Sequence, residues 1–396
     1  MSVMAASMLI FAMLLAGCGT IAGQWQMIGP ANSQINTLAT DPHFPGIIYA
    51  GGSDGTTYVA RGDHSGIFVA SEQSPGHDPV NVLFPNPYVS GAVYAGTSGG
   101  LYVSRDYGIH YAVRASGLPA GASVTAITTG ADGSKLYASV AMNGLYTSAD
   151  GGTTWAAVAP VVGSAGAAGQ SLPKSAAVQL LYWNSFDKVL YAAVSGTGTG
   201  IYASRDDGAT WSAEDKGVPS HTDAFDLLTL PSGGISVSGP TLYAATSAGV
   251  YARVIGADSW QSLSDGLPTG TVYSLATYAK TAGLLYAGAG KSVYVSADGG
   301  KQWRQVADGL SHAVPAIVVV PGQNTPTVTF AASGQIARYP AAKAGSGGIL
   351  GSLIVILIVG GTAWYILARY GILPSYKDLR RRFSTRVRET RRIPDA

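Results

Sequence analysis

One eight-residue pattern recurs four times along this chain. SADGGTTW at Ser148–Trp155 returns as SRDDGATW at Ser204–Trp211 and as SADGGKQW at Ser296–Trp303, and a weaker copy, SRDYGIHY, occupies 104–111. Repetition constrains architecture before any residue is given a chemical role, because each copy marks one supersecondary unit that must stack on its neighbours to bury a core. The spacing S-x-D-x-G-x-x-W suits a tight turn between two strands. Its Asp can accept backbone N–H groups, its Gly supplies a positive φ, and its Trp packs on the strand that follows. The turn residues are therefore Ser104, Asp106 and Gly108; Ser148, Asp150, Gly152 and Trp155; Ser204, Asp206, Gly208 and Trp211; and Ser296, Asp298, Gly300 and Trp303.

Between these turns lie runs in which large apolar and small residues alternate, a period of two that specifies strand and not helix. One strand of each unit carries a Tyr-Ala step, at Tyr49, Tyr94, Tyr137, Tyr191, Tyr243 and Tyr286, with Phe330 in the corresponding place of a seventh unit. The intervals between these markers are 45, 43, 54, 52, 43 and 44 residues, the length of one four-stranded propeller blade. Seven blades follow. The last unit ends at Gln335–Tyr339 without an outer strand, whereas the first unit is preceded by WQMIGP at 25–30, which has that outer-strand pattern and no unit before it. Trp25–Ile28 is therefore expected to complete the last blade and close the ring, leaving only short protected edges.

On the recurrent turn and its spacing, the segment from Trp25 to Tyr339 resembles the Asp-box (BNR) repeat β-propellers. Within that group it is similar to the photosystem II assembly/stability factor and to sortilin- and sialidase-type propellers. The resemblance implies an all-β, seven-bladed propeller and leaves function open. A sialidase-type site would imply an Arg-Ile-Pro motif after the first strand, and the triplet Arg392-Ile393-Pro394 lies instead near the end of the chain.

Charge divides the sequence in two. Up to Gly348 there are 15 Lys and Arg against 19 Asp and Glu; from Ile349 onward there are 9 against 3. A mildly acidic ring is a poor binder of nucleic acid, where affinity depends on neutralising phosphates. ILGSLIVILIVGGTAWYILA at 349–368 is an uncharged run of 20 residues, long enough at about 1.5 Å per residue to cross a hydrocarbon core of roughly 30 Å. An Arg-rich tail follows, which the positive-inside rule places in the cytoplasm. Residues 1–17 form an apolar leader ending in Leu15-Ala16-Gly17-Cys18, similar to a lipoprotein signal, with Cys18 the sole cysteine and the expected lipidation site. The expected organisation is a signal peptide at 1–17, a linker at 18–24, the propeller at 25–340, a linker at 341–348, a transmembrane helix at 349–368 and a basic cytoplasmic tail at 369–396.

No catalytic constellation emerges. The carboxylates expected on inter-blade and channel-side loops are Asp54, Asp63, Glu214, Asp215, Asp223, Asp226, Asp265 and Asp308, and none is set apart by its neighbours. Asp63-His64 and His77-Asp78 could meet as metal ligands, but their spacing is no zinc signature, and neither a metal nor another cofactor is expected. Loops that depart from the repeat are the better pointers to binding, and Arg61, Asp63, His64, Glu214, Asp215, Lys216 and His221 are the interaction residues they suggest. The sequence thus reads as a membrane-anchored, extracytoplasmic, non-enzymatic scaffold. Its expected partner is a membrane protein complex or another surface protein, not nucleic acid or a small-molecule substrate. A carbohydrate-binding or glycoside-hydrolase-like propeller is the alternative, which channel-facing aromatics with paired carboxylates would favour.

Overall fold

The computed structural model describes residues 26–340 apart from 31–33, 62–67, 132, 159–171, 173–176, 197–198, 233, 236–238, 279–280, 308–312, 321–326 and 333–334. The expected signal peptide, Cys18, the 349–368 segment and the basic tail lie outside the described residues. Among the described residues no helix is long and apolar enough to cross a membrane.

Seven four-stranded antiparallel sheets follow one another in the chain. The innermost strands are Ile35–Thr40, Val80–Pro85, Val124–Thr129, Ala177–Asn184, Ala224–Leu230, Val272–Thr277 and Ala316–Val320, in blades 1 to 7 respectively. Blade 7 takes its outer strand from the start of the chain: Gln26–Met27 pairs with Gln335–Pro340, Gln26 opposite Arg338 and Met27 opposite Ala337. Ile28 and Gly29 both donate their N–H to the Ile336 carbonyl. The ring is closed as expected, by a strand two residues long.

The marker tyrosines show where the core sits. Tyr49, Tyr94, Tyr137, Tyr191 and Tyr243 are fully buried, and each belongs to a cluster that includes residues of the following blade. Tyr286 does the same toward blade 7, and Ile35 and Ile48 of blade 1 pack on Val318, Val320 and Ile336. The hydrophobic core is thus divided into interfaces between neighbouring blades. Large residues alternate with Ala and Gly because two sheets must approach face to face; a Cβ on Gly96 would fall 2.7 Å from Val124 of the next blade.

The four repeated turns hold themselves by hydrogen bonds. Each buried Ser hydroxyl donates to the Asp carboxylate two residues on, at 2.7–2.8 Å, and accepts the N–H of the Gly four residues on, at 2.8–2.9 Å. The carboxylate then accepts one or two further backbone N–H groups, such as Thr153 and Thr154 at Asp150. Hydrogen bonds from Thr154 and Ser148 hold the Asp150 carboxyl down at about 2.

The turns ending at Trp155 and Trp303, and Trp260 in the blade that lacks the repeat, also latch to the preceding blade. Trp155, Trp260 and Trp303 donate their backbone N–H to Ser116, Lys216 and Asp265, and the indole N–H groups reach Arg114, Glu214 and Leu263 carbonyls. Gly117, Gly217 and Gly266 lie at the contact with positive φ, where a Cβ would sit 2.0–2.2 Å from the Trp carbonyl oxygen.

Candidate functional site: the channel and its mouth

The innermost strands enclose a central channel of ≈ 420 Å³ lined by all seven blades, within the size range of small-molecule sites. Six of these strands carry a register shift near their start, at Ile35/Thr37, Val80/Val82, Val124/Ala126, Val178/Leu180, Ala224/Asp226 and Val272/Ser274. A bulge inserts one residue and re-aims the side chains around it. Here it turns side chains toward the neighbouring blade. Asn36 donates to the Val80 carbonyl (3.2 Å), Asn81 to Val124 (3.0 Å), Thr125 to Val178 (2.7 Å) and Ser274 to Val314 (3.0 Å). Tyr182 donates to Thr229 Oγ1 between blades 4 and 5 (3.0 Å).

Blade 5 makes its connection with a charge. Asp226 Oδ2 accepts the Leu275 N–H of blade 6 at 2.9 Å. Burial pushes the Asp226 carboxyl up to about 7, against the opposing hydrogen bonds from Leu275 and Leu227. No other charged side chain lies among the described residues lining the channel. Phe84, Tyr182, Phe225 and Tyr273 line it as well, the last two rings 5.5 Å apart at 46°. Asp226 is therefore set apart from the other seven carboxylates, against the reading that none is distinguished. It lies on a strand and not on a loop.

The other expected interaction residues do not converge. Asp63, His64 and Asp308 lie outside the described residues. Arg61 is exposed at the edge of blade 1, and His221 is exposed with φ +60°. Asp54 caps its own turn through the Thr56 N–H, and Asp215 and Lys216 use their carbonyls on Val218 and Trp260. Glu214 is no free loop carboxylate: it pairs with Arg205 at 2.7 Å and with Arg253 of the next blade. Burial alone would raise the Glu214 carboxyl; the two guanidinium groups outweigh it and hold it below the usual carboxylate range. Arg253 is 5% exposed, donates to Tyr191 Oη at 2.9 Å and stands 5.2 Å from the Trp260 ring. Its signal was in the sequence, since Arg253 stands seven residues before Trp260, where four other blades have the Ser of the repeated turn. Among the described residues no cluster of three or more His, Cys, Asp or Glu is placed to hold a metal ion.

One face of the ring carries exposed aromatic side chains. The bulge contacts join equivalent levels of successive inner strands, so the loops that leave those strands emerge at a common end. Phe44, Tyr88 and Phe186 on these loops are 50%, 47% and 50% exposed. Phe44 meets Tyr107 edge to face at 5.7 Å; Tyr107 Oη lies 3.0 Å from Ser90 Oγ; Tyr88 donates to the Ala131 carbonyl of blade 3. Tyr107 has φ +61° at the turn position where two other copies have Gly151 and Gly299, so a bulky residue is held in the left-handed region to present its ring.

No curated protein matches this sequence. Solved structures with the same fold include the GH74 xyloglucanase from Xanthomonas campestris, 18% identical with a TM-score of 0.59, covering 80% of this chain and 54% of that one. The GH74 enzyme of Niastella koreensis is 17% identical with a TM-score of 0.60, covering 81% and 54%. An extracellular domain assigned to a one component system of B. thetaiotaomicron is 14% identical with a TM-score of 0.59, covering 80% and 40%. The chain thus spans about half the length of these structures or less, and identities this low speak to fold alone. The family model described as the DUF6242 beta propeller domain matches residues 86–337. That match takes in more than half of the sequence, and the chain belongs to the DUF6242 beta propeller family.

Proposed function

We propose that this protein is a non-enzymatic interaction propeller that docks a protein partner on the aromatic row at one face of its ring. In this reading it is displayed outside the cytoplasm, held at a membrane by the 349–368 segment and by lipid on Cys18, and serves the assembly or stabilisation of a membrane protein complex. The observation that carries the docking surface is the row from Phe44 through Tyr107 to Tyr88, which crosses blades 1 to 3 and leaves large aromatic surface in water. Aromatic residues on a rigid face are the usual anchors of protein interfaces.

Channel aromatics beside a carboxylate favour a second reading, glycan binding, and the GH74 structures share the fold. Hydrolysis by the usual route needs two carboxylates about 5–9.5 Å apart, and among the described residues the channel lining supplies one.

The test is affinity purification of the tagged full chain with crosslinking, beside a Phe44→Ser/Tyr88→Ser variant. One membrane complex, crosslinked at 41–47 and 86–92 and lost in the variant while its thermal unfolding stays unchanged, is the expected result. Equal recovery with both proteins refutes the docking surface. Anchoring is checked by fractionation: the full chain should sediment with membranes, and a Cys18→Ala chain ended after residue 340 should not.

A further inference from the structure

Five inter-blade contacts around the channel are made by neutral side chains: Asn36, Asn81, Thr125, Tyr182 and Ser274. A neutral amide could accept the Leu275 N–H as well as Asp226 does. An acid at this position strengthens the contact only when ionised, and ionising it in a confined site without a cationic partner is unfavourable. The charge therefore calls for a role beyond joining the blades.

Its surroundings limit what could meet it. The titratable groups that share the lining with it are Tyr182 from blade 4, whose phenol feels its charge, and Tyr273 from blade 6; the second strand of its own blade presents Ala245 opposite it. Lys, Arg and His are absent among the described lining residues. Phe225 and Tyr273 form an aromatic wall from adjoining strands, and Tyr182 is fixed in orientation by Thr229. Aromatic faces attract cations through their quadrupoles, more strongly where water is excluded. One carboxylate is too few for a hard metal ion, which takes six or more oxygens. The volume of ≈ 420 Å³ admits a small organic molecule.

We propose that the channel is a binding site for a small organic cation, an alkylammonium or N-methylated amine, with the Asp226 carboxylate as counter-ion and Tyr182, Phe225 and Tyr273 as aromatic walls. The site is independent of the docking row, and either can fail alone. Burial pushes the Asp226 carboxyl up to about 7, so the cation binds the ionised form at the expense of its proton. Affinity then rises with pH, by about tenfold between roughly pH 6 and 8, as the ionised fraction rises from about one tenth to nine tenths.

The test is calorimetric titration of the full chain with choline, and with 3,3-dimethylbutanol, its neutral isostere. Choline should bind at least about tenfold more tightly than the alcohol, with the stated pH dependence. Asp226→Asn should weaken choline at least about tenfold and abolish the pH dependence, and Tyr273→Leu should weaken it with the pH dependence retained. Equal affinity for choline and the alcohol, unchanged binding in Asp226→Asn, or no heat with choline at about 10 mM each overturns the proposal. Folding of each variant is checked by its unfolding midpoint, so a lost site is separated from a lost fold.

Discussion

Arg253→Met is the most informative single perturbation of this ring. Methionine keeps much of the aliphatic stem that packs near Tyr191 and Trp260 and removes only the guanidinium. The arginine is 5% exposed and its partner Glu214 17%, so the pair is largely out of water. Breaking a buried pair by removing one partner costs about 3–5 kcal/mol. Glu214 retains Arg205, which places the expected loss near the lower limit, about 3 kcal/mol. For a unit of this size that lowers the melting temperature by about 4–5 °C. Glu214→Gln alone should lose about 2–3 kcal/mol, and in the Arg253→Met background much less, giving a coupling of about 2 kcal/mol in a urea-denaturation cycle. The pH dependence has a definite sign. The folded Glu214 carboxyl titrates below its unfolded value, so its stabilisation is complete above about pH 4.3 and is lost as pH falls through the folded value. The gap between wild type and Arg253→Met should therefore narrow in acid. Additivity of the two changes within about 0.5 kcal/mol would refute the assignment of Arg253 as the element that joins blades 4 and 5.

Two glycines with similar dihedral angles should respond differently to substitution. Gly117 (φ +88°) lies against the Trp155 carbonyl, so Gly117→Ala should destabilise by well over about 1 kcal/mol, whereas Gly144 (φ +85°) faces open space and Gly144→Asn should change stability by under about 1 kcal/mol, both read from urea midpoints. Asp226 has the opposite pH sign to Glu214: its folded value lies above the unfolded one, so stability falls as pH rises from about 4 to about 7 and is flat beyond. Asp226→Asn should remove that fall and melt above wild type at about pH 8; a variant that melts lower there contradicts the assignment.

The elements legible in the sequence were those whose partners recur at a fixed interval. The turn residues bond within eight positions, and the marker tyrosines meet the same kind of surface one blade on, so repetition carried both. Glu214 was misread because its decisive partner Arg253 lies 39 residues away, in the blade where the repeated turn is missing. Asp226 was one carboxylate among eight because a bulge beside it breaks the alternation by which a strand residue is assigned to a face. The aromatic row was invisible for a third reason. Phe44, Tyr88 and Tyr107 are lone aromatics in separate segments, and only the packing of blade 1 on blade 2 brings Phe44 against Tyr107.

The two-residue closure has a mechanical consequence. The outer strand of blade 7 runs antiparallel to the strand beside it, with Gln26 opposite Arg338 and Met27 opposite Ala337. The chain therefore enters and leaves at the same end of one ribbon, on strands about 4.8 Å apart. Tension applied through the two ends would open this seam one hydrogen bond at a time, like a zipper, instead of shearing its bonds together. A pull through both ends is thus borne first by this seam, and blades 1 to 6 carry load only after blade 7 has parted.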